Sequence, residues 1–256
     1  MTLRLAFLGD VHGNLEALNA VLEDLSARKV DRVYCLGDLV GYGPDPEEVV
    51  KRLKGLNVVS IMGNYDEAVG FSKESCGCSY SPGREEEVGE ISLNWTIRYT
   101  SDETKEYLRN LPRKLSFEVE GVRFLLVHGS PLDELFEYVK PDTPTPRLKE
   151  IVSSVEEDVV VNGHTHLPMI LWVGGKLILN PGSVGRPKDG DPRASYMIVE
   201  VRDGIVSYEV VRVPYDVKRT VEKIAERGLP PELGTVLALG RTYNMGSPNV
   251  SFSLGL

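Results

Sequence analysis

The four histidines of this chain all lie in short motifs that also contain glycine or a second possible metal ligand. These motifs are Gly9-Asp10-Val11-His12-Gly13, Val127-His128-Gly129 and Gly163-His164-Thr165-His166. Imidazole is the commonest metal ligand among protein side chains. Because every histidine of the sequence is placed in this way, we expect the chain to build a metal site.

Oxygen ligands are available from two further motifs, Gly37-Asp38 and Gly63-Asn64. A centre that hydrolyses phosphoesters with two dications holds them about 3.5–4 Å apart. A carboxylate can bridge the pair because it has two oxygens, and imidazoles suit Mn, Fe, Zn or Ni in the remaining positions. The candidate ligands are Asp10, His12, Asp38, Asn64, His128, His164 and His166.

Each of these motifs has an ordinary structural interpretation when taken alone. Gly-Asp and Gly-Asn are common in turns, and a single histidine after a strand is more often structural than a ligand. His164 and His166 could also be outward-facing residues of one strand. Only the complete set of motifs, each at the end of a predicted strand, favours a metal centre.

The elements that must position these residues alternate between strand and helix in the N-terminal part. Apolar runs and helical spacing of leucines predict β, α, β, α and β elements at 3–8, 14–28, 32–36, 45–55 and 57–61. This order predicts parallel strands with right-handed crossovers. Asp10, Asp38 and Asn64 would then lie side by side at the carboxyl ends of the strands, where sites form in open α/β sheets.

The alternation stops in the segment 67–115, which we interpret as a helical cap insertion over the site. The later pattern predicts strands at 116–120, 123–127, 159–161, 169–173, 176–179, 195–201 and 205–213, and helices at 146–154, 216–227 and 231–240. We expect a single domain over 1–256, with 214–256 as a C-terminal helical extension. Its last residues, 244–256, are predicted to be weakly ordered.

The five motifs together resemble the signature motifs of the calcineurin-like metallophosphoesterases. They are Asp10-Val11-His12, Gly37-Asp38-Leu39-Val40-Gly41, Gly63-Asn64-Tyr65-Asp66, Val127-His128-Gly129 and Gly163-His164-Thr165-His166. The resemblance covers 3–213 without the insertion. The segment Asn180-Pro181-Gly182-Ser183-Val184-Gly185 is similar to one found in the small prokaryotic phosphodiesterase-like branch.

The resemblance implies an α/β fold, a four-layer α/β/β/α sandwich of two mixed sheets. It implies that Asp10, His12 and His166 hold one metal, that Asn64, His128 and His164 hold the other, and that Asp38 bridges them. The implied reaction is in-line attack on phosphorus by a metal-activated hydroxide, with manganese as the expected metal. Dications support that chemistry because they lower the pKa of bound water and neutralise phosphoryl oxygens.

One position departs from the family pattern. Many members have a histidine after the Gly-Asn motif that assists the leaving group, and here that residue is Tyr65. Tyrosine, with an ordinary pKa near 10, is a poor proton donor at neutral pH. Tyr65 could hydrogen-bond the substrate or simply pack near the mouth of the site. We therefore expect a preference for esters with good leaving groups.

Three other residues are candidates for supporting roles. Asp66 could orient a ligand histidine or cap a helix. Asn180 could support the ligands or contact substrate. Arg186 could grip a phosphate bidentately or be an ordinary surface arginine.

Composition restricts the class of partner. The net charge of −9 argues against general binding of nucleic acid or anionic membranes. Cys35 is expected in a buried strand, and Cys76 and Cys78 are expected to be loop thiols, which suggests a reducing compartment. No signal segment or membrane span is evident, so a cytoplasmic protein is expected. The oligomeric state is left open.

The sequence favours a phosphodiesterase that acts on a small phosphorylated or phosphodiester substrate. A phosphomonoesterase, a protein phosphatase or a dinucleoside polyphosphate hydrolase is the alternative within the same chemistry. A non-catalytic scaffold with this fold is the alternative of another class, because fold alone does not determine function. A nuclease is disfavoured because the chain shows no basic groove.

Overall fold

A computed structural model describes residues 2–242 of the chain. The strands are β1 (Thr2–Leu8), β2 (Arg32–Cys35), β3 (Val59–Ser60), β4 (Lys114–Val119), β5 (Val122–Val127), β6 (Val159–Val161), β7 (Pro168–Val173), β8 (Lys176–Pro181), β9 (Ala194–Arg202) and β10 (Ile205–Val213). The helices are α1 (Leu15–Arg28), α2 (Pro46–Gly55), α3 (Asn64–Gly70), α4 (Arg84–Tyr99), α5 (Asp102–Arg109), α6 (Thr145–Ser153), α7 (Val217–Glu226) and α8 (Pro231–Leu239). The segment 244–256, predicted to be weakly ordered, lies outside the described residues.

The strands form two mixed sheets of five strands each, in the orders β10-β9-β1-β2-β3 and β4-β5-β6-β8-β7. β1, β2 and β3 are parallel, as predicted from the β-α-β-α-β pattern, and Leu8 pairs with Cys35 in that ladder. In the second sheet, β5, β6 and β8 are parallel, whereas the edge strands β4 and β7 are antiparallel to their neighbours. The ends of the parallel strands from both sheets are therefore available to form one site.

Apolar side chains fill the space between the two sheets. Phe7 and Tyr34 from the first sheet pack in one buried cluster with Phe124 and Leu179 from the second. The other face of the first sheet is covered by α1, α2 and α7, and the other face of the second sheet packs against α6. Each sheet thus buries both faces, and the predicted four-layer α/β/β/α sandwich is confirmed.

Two parts of the chain differ from the predicted elements. The strand expected at 57–61 is reduced to Val59–Ser60, and helix α3 was not predicted. This helix begins at Asn64 because the Asp66 carboxylate accepts a hydrogen bond from the Gly63 N–H, at 3.0 Å, and so caps the first turn. Helices α4 and α5 both pack against α3. The boundaries of the insertion, 67–115, and of the extension, 214–256, stay predictions.

The cysteines follow the prediction only in part. Cys35 is free and buried in β2, as expected. Cys76 and Cys78 form a disulfide, so the prediction of loop thiols is wrong, and these cysteines give no support to the reducing compartment inferred from them. Gly77 lies between them with φ of 68°, a left-handed conformation that lets the chain turn tightly enough to bring the two sulfurs together. Within residues 2–242, no helix combines the length and the apolar composition needed to cross a membrane.

Candidate metal centre

The seven predicted ligands lie together where strands of both sheets end. In the first sheet, Asp10 and His12 follow β1, and Asp38 follows β2. Asn64 is the first residue of α3, the helix that comes after β3. The second sheet provides the residues that follow β5 and β6, which are His128, His164 and His166. All seven are almost completely buried. The site therefore connects the two sheets at one edge of the sandwich.

One group of ligands consists of Asp10, His12 and His166, and its possible ligand atoms all lie within 4.8 Å of one another. The Nε2 atoms of His12 and His166 are 3.2 Å apart. Nε2 of His166 is 3.5 Å from Oδ1 of Asp10. This group has the nitrogen and oxygen donors of a divalent transition-metal site.

The second group consists of Asp38, His128 and His164, again with ligand atoms within 4.8 Å of one another. Oδ1 of Asn64 joins this group, at 3.0 Å from Nε2 of His128. Oδ2 of Asp38 is 3.5 Å from Nε2 of His128 and also 3.5 Å from Nε2 of His12 in the other group. Asp38 therefore lies between the two groups, as a shared ligand must.

Backbone carbonyl oxygens fix the orientation of three imidazole rings. Nδ1 of His12, His128 and His166 lies 3.1, 2.7 and 2.6 Å from a carbonyl oxygen, and each must therefore donate a proton. In a neutral ring this leaves the lone pair on Nε2, which is the atom that faces the centre. Carbonyl oxygens beyond the ligands commonly orient metal-bound histidines in this way.

Buried polar atoms without a hydrogen-bond partner indicate that each ligand group could hold a cation. Oδ2 of Asp10 and Nε2 of His164 are buried and have no hydrogen-bond partner in the described part of the chain. Two Nε2 lone pairs also face each other between His12 and His166. Buried lone pairs without a partner are costly, and a divalent cation in each group would satisfy them. The residues present therefore fit a dinuclear divalent metal site.

The histidine pKa values reflect burial and the neighbouring carboxylate. Burial lowers the pKa of His12 and His164 to about 3, so both are neutral ligands at physiological pH. Burial alone would also lower the pKa of His128, but the Asp38 charge outweighs this effect and raises it to about 9. His128 therefore holds a second proton until a cation replaces it.

The two aspartates have opposite pKa shifts. Burial raises the pKa of Asp10 to about 7, and the nearby Asp38 charge acts in the same direction. Burial opposes ionisation of Asp38 too, but the charge of His128 and its hydrogen bond hold the pKa of Asp38 below its usual range. Asp38 is therefore the carboxylate that is ionised before any metal binds.

Five of the seven ligands adopt a left-handed backbone conformation that residues other than glycine rarely take. Their φ angles are 52° for Asp10, 49° for His12, 53° for Asp38, 67° for His164 and 61° for His166. Left-handed non-glycine residues are uncommon and persist where surrounding structure holds them. The hydrogen bonds of these loops hold them here: Asp10 Oδ1 accepts from the His164 N–H at 3.1 Å.

Asp66 does not orient a histidine, so that prediction is wrong and the helix-cap alternative is confirmed. Its carboxylate accepts the N–H groups of Gly63, at 3.0 Å, and Leu39, at 2.8 Å. It thereby ties the start of α3 to the loop that carries Asp38. The Tyr65 N–H in turn donates to Oδ1 of Asp38 at 2.8 Å, which leaves Oδ2 to face the two ligand groups.

Tyr65 is buried beside the ligand His12. Its side chain is 0% exposed, and its ring centroid is 5.6 Å from that of His12. Its hydroxyl hydrogen-bonds that of Tyr80 at 3.2 Å. Burial raises the pKa of Tyr65 well above its ordinary value. Burial and the bond to Tyr80 favour the packing interpretation of Tyr65 over a hydrogen bond to substrate.

Asn180 supports the loop that carries two of the ligands, which favours the supporting role over a contact with substrate. It is completely buried, and its Nδ2 donates to the Gly163 carbonyl at 2.8 Å and to Thr165 Oγ1 at 3.1 Å. Its Oδ1 accepts the Gly182 N–H at 2.9 Å. Its Nδ2 thus holds the loop that carries His164 and His166, and its Oδ1 holds the turn that follows β8.

Arg186 is not a surface residue, because only 4% of it is exposed. Its guanidinium lies 4.1 Å from the centroid of the Tyr42 ring, and Nε is buried without a hydrogen-bond partner among the described residues. Its backbone carbonyl accepts the Nδ1 proton of His166. A buried guanidinium with a free donor beside the ligands can bind an anionic group.

Sequence reasoning missed two side chains that pack against the centre. Ser183 donates from Oγ to the Asp10 carbonyl at 2.7 Å and accepts the Arg186 N–H at 2.7 Å, which joins two strand ends. The Tyr138 ring packs against the His164 ring at an angle of 32°, with centroids 3.9 Å apart. Ser183 belongs to a segment that the sequence did single out, whereas Tyr138 comes from a polar connection with no motif to mark it.

Comparison with known proteins agrees with this geometry. The family model of the calcineurin-like phosphoesterase superfamily domain matches residues 3–204. The chain is 36% identical over 255 residues to Uncharacterized protein MJ0912 of Methanocaldococcus jannaschii, which covers 93% of this chain and 98% of that protein. It is 29% identical over 208 residues to Phosphodiesterase YfcE of Escherichia coli (strain K12), which covers 77% of this chain and 88% of that protein.

A solved structure shows the same fold at appreciable sequence identity. The metallophosphoesterase from Sphaerobacter thermophilus is 33% identical, has a TM-score of 0.74, and is matched over 94% of this chain and 100% of that one. The family model, the related proteins and the two ligand groups agree on the chemistry. The chain belongs to the calcineurin-like phosphoesterase superfamily and is a metal-dependent phosphoester hydrolase with a dinuclear divalent metal site.

Proposed function

We propose that this enzyme is a phosphodiesterase that uses two manganese ions and acts on a small substrate. The observation that carries the proposal is the position of Asp38, whose Oδ2 is 3.5 Å from a histidine of each ligand group. Such an arrangement suits a carboxylate shared by two dications about 3.5–4 Å apart. The mixture of imidazole, carboxylate and amide ligands suits Mn, with Fe, Zn and Ni as alternatives.

The seven ligands would form two sets, one for each ion. Asp10, His12 and His166 would hold one ion, and the remaining ligands, Asn64, His128 and His164, would hold the other, with Asp38 shared between them. When bound, two such ions lower the pKa of water and neutralise charge on the phosphoryl oxygens. Because the ligands are buried and fixed to both sheets, they need little rearrangement to do this.

Arg186 would bind a non-bridging oxygen of the phosphoryl group. Its guanidinium is buried beside the ligands, is held by the Tyr42 ring and has a free Nε donor. A fixed, charged donor aimed at developing negative charge stabilises the transition state more than the ground state. Arg186 would thus supply the protein's own share of charge stabilisation.

The diester preference rests on the related YfcE, and a separate preference for good leaving groups rests on Tyr65. The related YfcE is named a phosphodiesterase. In addition, Tyr65 takes the position of the histidine that assists the leaving group in the resembling family, and its burial makes it a weak acid. The centre would then favour esters whose leaving group departs without protonation. A cytoplasmic location, a substrate other than nucleic acid and a cap role for 67–115 complete the proposal.

A substrate screen with added Mn²⁺ tests this proposal. The substrates are bis(4-nitrophenyl) phosphate, 4-nitrophenyl phosphate, a dinucleoside polyphosphate and a phosphopeptide. We expect kcat/KM for the aryl diester to exceed that for the aryl monoester by about tenfold or more, and the His128→Gln variant to lose turnover of both, since it lacks a ligand. A higher kcat/KM for the monoester or the phosphopeptide would refute the diester preference.

A further inference from the structure

A polar cavity of about 290 Å³ adjoins the metal centre. Its lining includes Ser79, Glu85, Tyr138, Lys140, Thr165 and Lys188. These residues come from the loop before α4, from the first turn of α4, from the connection between β5 and α6, and from the segments after β6 and β8. The cavity is therefore built where several distant parts of the chain converge.

The cavity shares two of its walls with the metal centre. Thr165 lies between the ligands His164 and His166, and its hydroxyl is held by Asn180. Tyr138 packs against the His164 ring, and its hydroxyl oxygen accepts the Ser79 N–H at 3.2 Å, which leaves its proton free to donate. A ligand in the cavity would thus be in contact with the residues that surround the second ion.

The charged groups of the cavity are predominantly positive. Lys188 is partly buried, and its ammonium makes no hydrogen bond or ion pair with any residue in 2–242. Lys140 places its ammonium 5.3 Å from the centroid of the Tyr138 ring. The one carboxylate in the lining, Glu85, already accepts the Ser81 N–H at 3.0 Å. An ammonium without a partner is an unusual feature in a partly buried position, because its desolvation is not offset.

The charge of Lys188 contributes to the electrostatics of a metal ligand. The pKa of His166 lies well below its ordinary value, mainly because the ring is buried and to a smaller extent because of the Lys188 charge. Burial, followed by the charge of Arg186, lowers the pKa of Lys188 itself to about 7. An anion beside Lys188 would favour its charged form and offset the burial of the ammonium.

We propose that this cavity binds a second anionic group of the substrate, one that is not cleaved, with Lys188 as its main contact and Lys140 as its second. The substrate class is therefore a phosphodiester or phosphoanhydride that carries another phosphate or carboxylate beyond the scissile bond. Hydroxyl groups of Tyr138, Ser79 and Thr165 complete the set of donors for such an oxyanion. This inference rests on the proposed function, because it concerns the same centre.

The test compares two substrates with the same leaving group. They are thymidine 5′-(4-nitrophenyl phosphate) and its counterpart with an additional 3′-phosphate. Release of 4-nitrophenolate gives KM and kcat for the wild type and for Lys188→Met, Lys188→Arg and Lys140→Met. We expect the wild type to have an approximately tenfold lower KM for the substrate with the second phosphate, which corresponds to one charge-assisted contact. Lys188→Met should abolish this preference and Lys188→Arg should retain most of it.

The control is Lys51→Met, which removes an exposed lysine of α2 that does not line the cavity and should keep the preference of the wild type. Lys140 is exposed, so Lys140→Met tests the same cavity even if a Lys188 variant folds poorly, and it should weaken the preference. Equal KM values for the two substrates in the wild type, or a preference that survives both Lys188→Met and Lys140→Met, would overturn the inference. Turnover of neither substrate would instead refute the proposed function.

Discussion

At the scale of single residues, the site is a set of side chains whose protonation is decided by burial and by Asp38. Asp38 is ionised because His128 holds a proton beside it, and His12 and His164 are neutral because they are buried. Without metal, the negative charge of Asp38 is therefore balanced by the proton on His128. Divalent cations complete the centre by replacing protons.

Metal binding should release protons at neutral pH. The pKa of His128 is raised to about 9 and that of Asp10 to about 7, so at pH 7 the first holds its proton and the second holds it in half of the molecules. Both must be lost to form ligands, and affinity for Mn²⁺ should therefore rise as pH rises towards 9. Calorimetry in buffers with different ionisation enthalpies should detect release of about one to two protons. Affinity that does not change between pH 6 and 8 would contradict these assignments.

Tyr65→Phe should leave catalysis of both good and poor leaving groups nearly unchanged. The hydroxyl is buried and bonded to Tyr80, so it gives no proton to a substrate. General acids contribute about 100-fold or more to rates with poor leaving groups, and that contribution should be absent. The measurement is kcat/KM for aryl phosphodiesters of increasing leaving-group pKa, with Tyr80→Phe as the control for loss of the same hydrogen bond. A 100-fold loss restricted to the poor leaving groups would disprove the assignment.

At the scale of elements, the loops after the strands hold the ligands through close backbone contacts. Gly63 precedes α3, and a methyl group at this position would collide with the backbone N and Oδ1 of Asp38. Glycine is thus required at position 63 because there is no space for a side chain. Its φ of −96° is one that other residues adopt easily. The length of β3 and the start of α3 together determine how near Asn64 comes to Asp38.

Gly63→Ala should therefore displace Asp38 and reduce activity. A displacement of about 1 Å at a reacting centre can cost about 100-fold in rate, and we expect a loss of kcat/KM of that order together with a lower metal content. Gly55→Ala, in α2, is the matched control, because a methyl group there meets no atom within 4 Å. Unchanged activity in the Gly63→Ala variant would show that Asp38 tolerates the shift.

The sequence was sufficient to predict the strand ends and their polar residues, because apolar runs followed by Gly-Asp or Gly-Asn have strong local signals. It was not sufficient for helix α3, whose first turn depends on the Asp66 carboxylate. It also did not predict the role of Tyr65, which is decided by the neighbouring Tyr80. Lys188 was missed because its importance comes from the lack of a hydrogen-bond or ion-pair partner among residues 2–242, which is a property of the folded chain.

At the scale of the whole molecule, the metal centre connects the two sheets. Asp10, Asp38 and Asn64 follow strands of the first sheet, whereas His128 and His164 follow strands of the second. Ions bound between them would join the layers at one edge of the sandwich. Any ligand that binds only the folded state stabilises it by mass action.

Removal of metal should therefore lower the melting temperature. Saturation of one site at 100 times its Kd stabilises the fold by about 2.7 kcal/mol, and this corresponds to a shift of roughly 5–10 °C for a chain of this size. Thermal unfolding with Mn²⁺ and with a chelator gives the measurement. The His128→Gln variant should show a smaller shift, because one group loses a ligand. Equal melting temperatures for the wild type in both conditions would mean that the ions do not bind across the sheets.

The most direct test of the dinuclear centre is a titration of metal-free enzyme with Mn²⁺, followed by turnover of bis(4-nitrophenyl) phosphate and by elemental analysis. Asp38 contacts a histidine of each group at 3.5 Å, so activity should reach its maximum only at about two ions per chain. The Asp38→Asn variant should bind fewer ions and lose turnover. Maximal activity at one ion per chain, or undiminished turnover in Asp38→Asn, would contradict the account.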